Sequence, residues 1–369
     1  MYPITDIPEF QQQLLSWFTI NQRALPWRVD YKPYHVWISE VMGQQTQMDR
    51  VVGYFNRWQE QFPDIPSVAN APEQQILKAW EGLGYYSRAR NIQKTAKILV
   101  QEYGAALPAD YNALLSLPGI GPYTASAIMS IAYNRPYPVL DANVERILCR
   151  IADLDKPPKH TITRLQLQQL TGELLPGGDA RNFNQALMEL GALVCKPKNP
   201  YCDACPVRNH CRALATDVID LRPVSGKKEQ KIDITMSCAL IVHADRLFIQ
   251  QRLADDVWGG LWEFPGGRLK EGETPEQATM REVYEETEFK VIDLQPFATV
   301  VHHYTKYRVT LHSFWCRLSQ QKTTPVLHAA SRCHWATVDE LEEYPFPSGH
   351  RQLISKLLVG TSCPVTSII

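Results

Sequence analysis

The chain has 369 residues, 44% of them hydrophobic and 21% charged, with a formal net charge of −1. That length allows two domains with sizeable cores, and the ratio of apolar to charged residues excludes a disordered chain. No apolar run reaches the ~20 residues of a membrane span, and Met1–Asp6 lacks a basic leader followed by an apolar stretch, so a cytoplasmic protein that spans no membrane is expected.

The first half reads as helical. From residue 9 to about 225, apolar residues recur at three- and four-residue spacing, as in Ile76, Leu77, Trp80 and Leu83, then Ile92, Ala96 and Leu99. Proline-bearing breaks at 62–66, 107–108 and 156–158 end the helices. Within this half, Leu117-Pro-Gly-Ile-Gly-Pro-Tyr123 predicts a helical hairpin over residues 112–133, one helix ending at Leu117 and the next beginning near Tyr123. Gly119 and Gly121 can take positive φ and present bare N–H groups at a helix start, where a phosphate is favoured. Asp141 follows, the lone acid in the apolar and small-residue stretch Val139–Val144.

Charge is divided weakly along the chain: 24 basic against 22 acidic residues up to Gln230, then 14 against 17. A local excess is clearer, with Lys196, Lys198, Arg208 and Arg212 against Asp203 alone, which suits either phosphate contacts or a solvated loop. That loop holds four of the nine cysteines, Cys195, Cys202, Cys205 and Cys211, spaced C-x6-C-x2-C-x5-C. In the cytoplasm such a loop is a metal site before it is a disulfide framework, and four thiolates suit zinc or a four-iron cluster.

Residues 221–232 are polar and rich in breakers, which predicts a linker between domains at 1–220 and 233–369. Beyond it the period changes. Cys238–His243 and Arg246–Gln250 read as strands paired around an Ala-Asp turn, Tyr307–Trp315 alternates at period two, and Pro275–Thr287 is helical. An all-α domain followed by an α+β domain is expected.

The hairpin with its following aspartate resembles the motif of the helix-hairpin-helix DNA glycosylase superfamily. Leu25-Pro-Trp-Arg28, Val36–Thr46, Gly82–Asn91 and Asn184–Ala192 are similar to segments of the adenine DNA glycosylase (MutY) family, and the resemblance covers residues 9–212. The cysteine spacing matches the cluster loop of that branch, which implies one 4Fe–4S cluster with a structural role. The resemblance implies removal of adenine mispaired with 8-oxoguanine or guanine in double-stranded DNA, by a monomer. Breaking an N-glycosidic bond passes through an oxocarbenium-like state, so an acid must protonate the leaving base and a carboxylate must steady the sugar. Glu40 lies among Val36, Trp37, Ile38, Val41 and Met42, surroundings that raise a carboxyl pKa; taken alone it could equally be a helix-surface carboxylate.

By resemblance Glu40 protonates N7 of adenine and later helps activate water, while Asp141 stabilises the oxocarbenium with Asn143 and Tyr123 assisting. Strand-cleaving relatives place a Schiff-base lysine where this chain has Tyr123, so base removal leaving an abasic site is implied. Trp27, Arg28 and Gln185 would line the adenine pocket, and Gln44, Gln45, Thr46 and Tyr85 would contact DNA around the lesion pair. Two positions depart from the family: Gly43 stands where leucine is usual, and Ala142 where glycine is common.

In the second half, Gly267-x5-Glu273-x7-Arg281-Glu282-Val283-x-Glu285-Glu286 resembles a Nudix box, with Glu288 in place of its closing glycine. Glu282, Glu285 and Glu286 are the residues that would hold a divalent cation such as Mg2+. Two readings follow: a domain that recognises 8-oxoguanine in DNA, or one that also hydrolyses oxidised dGTP. The family's Phe-Ser-His lesion-reading turn aligns with Tyr304-Thr305-Lys306, which read without the resemblance is a strand-connecting turn. A lesion-binding protein with little catalysis is a third reading, against which Glu40 and Asp141 both argue.

Overall fold

The computed structural model describes residue 4 and residues 6–226, 230–321 and 323–360. Part of the expected linker (227–229) and the end of the expected C-terminal domain (361–369) lie outside the described residues. The chain divides into two compact units, Met1–Ala71 with Asn91–Lys228, and Pro72–Arg90 with Glu229–Ile369. These units differ from the expected 1–220 and 233–369 domains at residues 72–90, which pack with the second unit; helical periodicity says that a segment is a helix and not what it packs against.

The first unit is helical. It contains α1 (Ile7–Asn21), α2 (Pro33–Gly43), α3 (Met48–Gln61) and α4 (Ile65–Asn70). α5 (Glu73–Ala79) belongs to the second unit, as does the first turn of α6 (Ser87–Glu102). α7 (Tyr111–Leu115), α8 (Pro122–Ala127), which runs on into a π-helical turn at Ile128–Ala132, α9 (Ala142–Ile151), α10 (Thr161–Leu174), α11 (Ala180–Leu193) and α12 (Arg212–Ala215) also belong to the first unit. Aspartates set the starts of several helices: Asp6, Asp64, Asp110 and Asp141 each accept a backbone N–H of the first turn, a cap contributing about 1 kcal/mol. Phe10, Leu14 and Phe18, four apart on α1, pack with Val144, Ile147 and Leu148 of α9 and Phe183, Leu187 and Leu190 of α11. A smaller cluster of Val36, Ala127, Ile131 and Val139 lies beneath Tyr123.

Among the described residues the second unit is built on a seven-stranded sheet. Its strands are β1 (Ile232–His243), β2 (Arg246–Arg252), β3 (Trp262–Glu263), β4 (Gly266–Arg268), β5 (Val291–Tyr304), β6 (Tyr307–Leu318) and β7 (Ala330–Ala336). The order is β3-β2-β1-β6-β5, with β4 also on β1 and β7 on β2; β1 and β6 run parallel and the other pairs antiparallel. Ala244 and Asp245 both have positive φ (48° and 57°), the two-residue turn whose twist matches a hairpin. Ala239 and Ile241 of β1 face Val283 of α13 (Pro275–Thr287), whereas Cys238 and Leu240 face Leu353, Ile354 and Leu357 of α14 (Ser348–Leu358). Period-two alternation thus supplies a core on each face. No helix among the described residues is long and apolar enough to cross a membrane.

Candidate active site

A cleft of about 870 Å³ opens in the first unit, lined by α2 with its following turn, by Tyr123 of α8, by Asp141–Asn143 and by α11. The apolar run of α2 is buried from Val36 to Ile38 and again at Val41 and Met42, which sinks Glu40 at the cleft floor. Burial pushes its carboxyl up to about 7, against the lowering effect of the Tyr123 hydroxyl, which donates to Glu40 Oε2 at 2.7 Å. Nearby Asp141 raises it further, and Arg28 lowers it. Asp141 is the N-cap of α9. Its carboxylate accepts from the Val144 N–H at 2.7 Å and from Asn143 Nδ2 at 2.9 Å. Burial raises Asp141 too, and these two donors oppose it. Ala142 opens α9 without positive φ, so its methyl costs no backbone strain.

Trp27, Arg28 and Gln185 line the same cleft. Arg28 Nε donates to Gln185 Oε1 at 2.9 Å, and Arg28 also pairs with Glu189 at 3.0 Å. Glu189 is buried, and burial alone would raise its pKa. Fork-like bonds from Arg23 at 2.8 and 2.9 Å, with Arg28, hold it down at about 2 instead. Gln44, Gln45 and Thr46 line the mouth, Gln45 with a φ of 58°. Gly43 also lines it, and a Cβ there would meet nothing within 4 Å, so its side of the cleft is open.

The hairpin forms as expected, with one correction. Gly119 has a φ of 77°, and a Cβ there would come within 2.6 Å of the Asn91 Cβ, so only glycine fits. Gly121 has a φ of −89° and caps α8; it needs no left-handed freedom. α9 ties the site to the cysteine loop. Arg146 donates to Asn143 Oδ1 at 2.8 Å and to the Cys195 carbonyl at 2.8 Å, while Arg150 donates to Cys195 Sγ at 3.3 Å. Cys195, Cys202, Cys205 and Cys211 are free and half-buried. Burial and their mutual proximity push Cys202, Cys205 and Cys211 above the ordinary thiol range. Among the described residues no three His, Cys, Asp or Glu side chains already converge to hold a metal ion. The donor chemistry nevertheless fits a thiolate-bound cluster: four free thiols in one short loop, with a guanidinium beside one sulfur.

In the second unit Glu282, Glu285 and Glu286 lie on α13. Arg281 spans Glu273, Glu282 and Glu285 at 2.6, 2.7 and 2.9 Å. Glu286 accepts from Gln250 at 2.8 Å and from the Gly266 N–H at 3.0 Å; burial and the neighbouring Glu263 carboxylate push it up to about 8. An all-carboxylate donor set suits a hard divalent cation, which would compete with Arg281 for Glu282 and Glu285. Tyr304 ends β5, and Thr305 and Lys306 form the exposed two-residue turn into β6, Thr305 with a φ of 51°. The Tyr304 ring lies 6.1 Å from that of Tyr85 and 5.4 Å from that of Trp258. The turn does connect strands, as its residues alone suggest, and it also brings together two residues that sequence reading singled out 219 positions apart.

Comparison with known proteins sets these features in a family. Residues 38–173 match the HhH-GPD superfamily of base excision DNA repair proteins, and residues 237–356 match the NUDIX domain. A rat protein named adenine DNA glycosylase is 32% identical over 391 residues, covering 91% of this chain and 75% of its own. The chain belongs to the adenine DNA glycosylase family. A family member from Buchnera aphidicola (subsp. Baizongia pistaciae) is 37% identical, covering 69% of this chain and 73% of its own. Among solved structures, a thermostable thymine-DNA glycosylase aligns with a TM-score of 0.52 and 26% identity over 57% of this chain and 97% of that one.

For this adenine DNA glycosylase family member, three kinds of residue escaped the sequence reading. Arg23 and Glu189 organise the pocket, but they meet across 166 positions and no spacing announces them. Arg146 and Arg150 carried a weak signal, since two arginines four apart in an otherwise apolar helix face must find buried partners. Trp258 carried none.

Proposed function

We propose that this enzyme hydrolyses the N-glycosidic bond of adenine paired with 8-oxoguanine or guanine in double-stranded DNA, acting as a monomer and leaving an abasic site. The observation that carries the reading is the Tyr123–Glu40 hydrogen bond inside a cleft shared with Asp141 and Asn143. The target adenine must leave the stack to enter such a cleft, at a cost of a few kcal/mol that a mispair lowers. Trp27, Arg28 and Gln185 receive it, the amide of Gln185 being aimed by Arg28, which is itself anchored on Glu189. Glu40, protonated near neutrality, gives its proton to N7, so the base departs neutral. Asp141, whose carboxylate form is favoured by the Val144 N–H and Asn143 against the effect of burial, faces the positive sugar. Glu40, now a carboxylate bonded by Tyr123, takes the proton of the attacking water.

Gly119 and the start of α8 grip the backbone phosphate, with Gln44, Gln45, Thr46 and Tyr85 about the lesion pair. Cys195, Cys202, Cys205 and Cys211 would hold a 4Fe–4S cluster, which would brace the basic loop carrying Lys196, Lys198, Arg208 and Arg212. Tyr304, Thr305 and Lys306 read the opposite base; an exposed hydroxyl and ammonium on a turn suit the N7–H and O8 that distinguish 8-oxoguanine from guanine. The test is single-turnover excision from duplexes with adenine opposite 8-oxoguanine, G, T or C. Glu40→Gln is expected to lose adenine release by at least about a hundredfold while still binding duplex. Normal release by that variant would end the acid assignment, and equal rates on all four pairs would end the lesion assignment.

A further inference from the structure

The turn at Thr305 is strained. Thr305 is β-branched and has a φ of 51°, a conformation such residues avoid at a cost of order 1–3 kcal/mol, so its surroundings must impose it. Backbone pairing contributes: Tyr304 opposes Tyr307 across the hairpin, and the Ile232 N–H donates to the Lys306 carbonyl at 2.9 Å. Side-chain restraint on the turn comes through the Tyr304 ring, which Trp258 meets edge-on at 5.4 Å and 69°, within the favoured range for aromatic pairs. Tyr85 flanks the same ring.

Trp258 is well placed to restrain because its own loop is fixed. The Asp256 N–H donates to Leu253, the Gly259 N–H to Asp256 and the Leu261 N–H to Trp258, folding residues 253–261 onto themselves. A Cβ on Gly259 would lie 2.3 Å from the Ala254 carbonyl oxygen, so the loop is closed to within a methyl group. The Arg252 guanidinium sits 5.9 Å from the Trp258 ring centroid and is itself pinned by Asp256 and by buried Glu263. The restraint therefore runs from the sheet through Arg252 and Trp258 to Tyr304.

We infer that Trp258 is a positioning residue for lesion recognition: it holds Tyr304, and through it the strained Thr305 turn, in the conformation that discriminates 8-oxoguanine from guanine. The inference rests on the reading of Tyr304–Lys306 as the lesion reader. Trp258 touches no substrate in this role. It sets the selectivity of groups that do.

The test uses the full-length enzyme and equilibrium binding to duplexes carrying a non-hydrolysable adenosine analogue opposite 8-oxoguanine or guanine. Trp258→Ala is expected to narrow the affinity ratio between the two duplexes by about threefold to tenfold, the range an aromatic pair is worth. Trp258→Phe, which keeps an edge to offer Tyr304, is expected to restore most of the ratio. Affinities that fall equally on both duplexes would make Trp258 a folding residue and overturn the inference. A ratio left unchanged by Trp258→Ala but collapsed by Tyr304→Ala would overturn the inference while leaving the turn as reader. A ratio untouched by Tyr304→Ala would remove the lesion reading itself.

Discussion

Glu40 acts as an acid only while it holds a proton, so the pH profile of excision is set by its surroundings. Burial lifts the carboxyl to about 7, and loss of the proton above that value removes the active form. Under single-turnover conditions the rate is expected to fall about tenfold per pH unit above that limb and to fall again in acid, as Asp141 is protonated. Tyr123 donates to Glu40 and thereby favours the carboxylate, so Tyr123→Phe should raise the Glu40 pKa and move the alkaline limb to higher pH. A limb that stays in place, or moves down, would mean that another group titrates. The tendency to a raised pKa was legible in the sequence, because Val36, Trp37, Ile38, Val41 and Met42 surround Glu40 on one helix and local neighbours suffice to desolvate it. The Arg23–Glu189–Arg28 network was not legible, since its members come from separate elements joined only by the packing of the helices.

Elements with strong local signals formed where expected. α13 spans Pro275–Thr287 because Thr274 and Gln277 exchange capping hydrogen bonds and Pro275 opens the first turn. The β1–β2 hairpin formed around Ala244–Asp245, where two short apolar runs flank a two-residue turn with positive φ at both positions. β3 and β4 span two and three residues, too short to show a period, and β5 shifts register between Ile292 and Gln295 and between Pro296 and Ala298, which erases its alternation. The departure at Glu288 has a structural consequence. Glu288 ends α13 with a φ of 56°, the left-handed cap conformation that glycine adopts freely and other residues adopt at about 1 kcal/mol or more. Its Oε1 lies 3.1 Å from His328 Nε2, an exposed contact that offsets little of that strain. Glu288→Gly is therefore expected to stabilise the protein by about 0.5–1 kcal/mol, read as a higher denaturant midpoint at unchanged slope. A lower midpoint would show that the His328 contact outweighs the backbone strain.

At the scale of the whole molecule the chain enters the second unit twice, first at Pro72–Arg90 and again after residue 228. A linker read from composition captures the second entry only, because breakers mark where chains loosen and an amphipathic helix does not declare its partner. The early segment is bound into the second unit by specific bonds. Gln74 accepts from the Trp262 indole N–H at 2.9 Å, and the Tyr86 hydroxyl donates to the Phe346 carbonyl at 3.1 Å. Glu81 is the densest node, accepting from the Phe346 N–H at 2.8 Å, from Arg351 at 2.7 and 2.8 Å, and from Lys78 at 2.7 Å. Removing its carboxylate would leave the Phe346 N–H without its acceptor and take the ion pair from Arg351, which keeps the Tyr344 carbonyl at 2.7 Å, in a setting where the Glu81 side chain is only 13% exposed. Breaking a fully buried pair costs about 3–5 kcal/mol, and the partial exposure of Arg351 reduces this, so Glu81→Ala is expected to cost about 2 kcal/mol in urea unfolding of the full-length enzyme. Hydrogen exchange localises the effect. Amides at 344–354 and at 74–86 should lose protection together, because the two stretches share one set of bonds although some 260 positions separate them. Loss confined to 74–86, or a change below about 0.5 kcal/mol, would mean that the segment is held by other contacts and that Glu81 is an ordinary surface carboxylate.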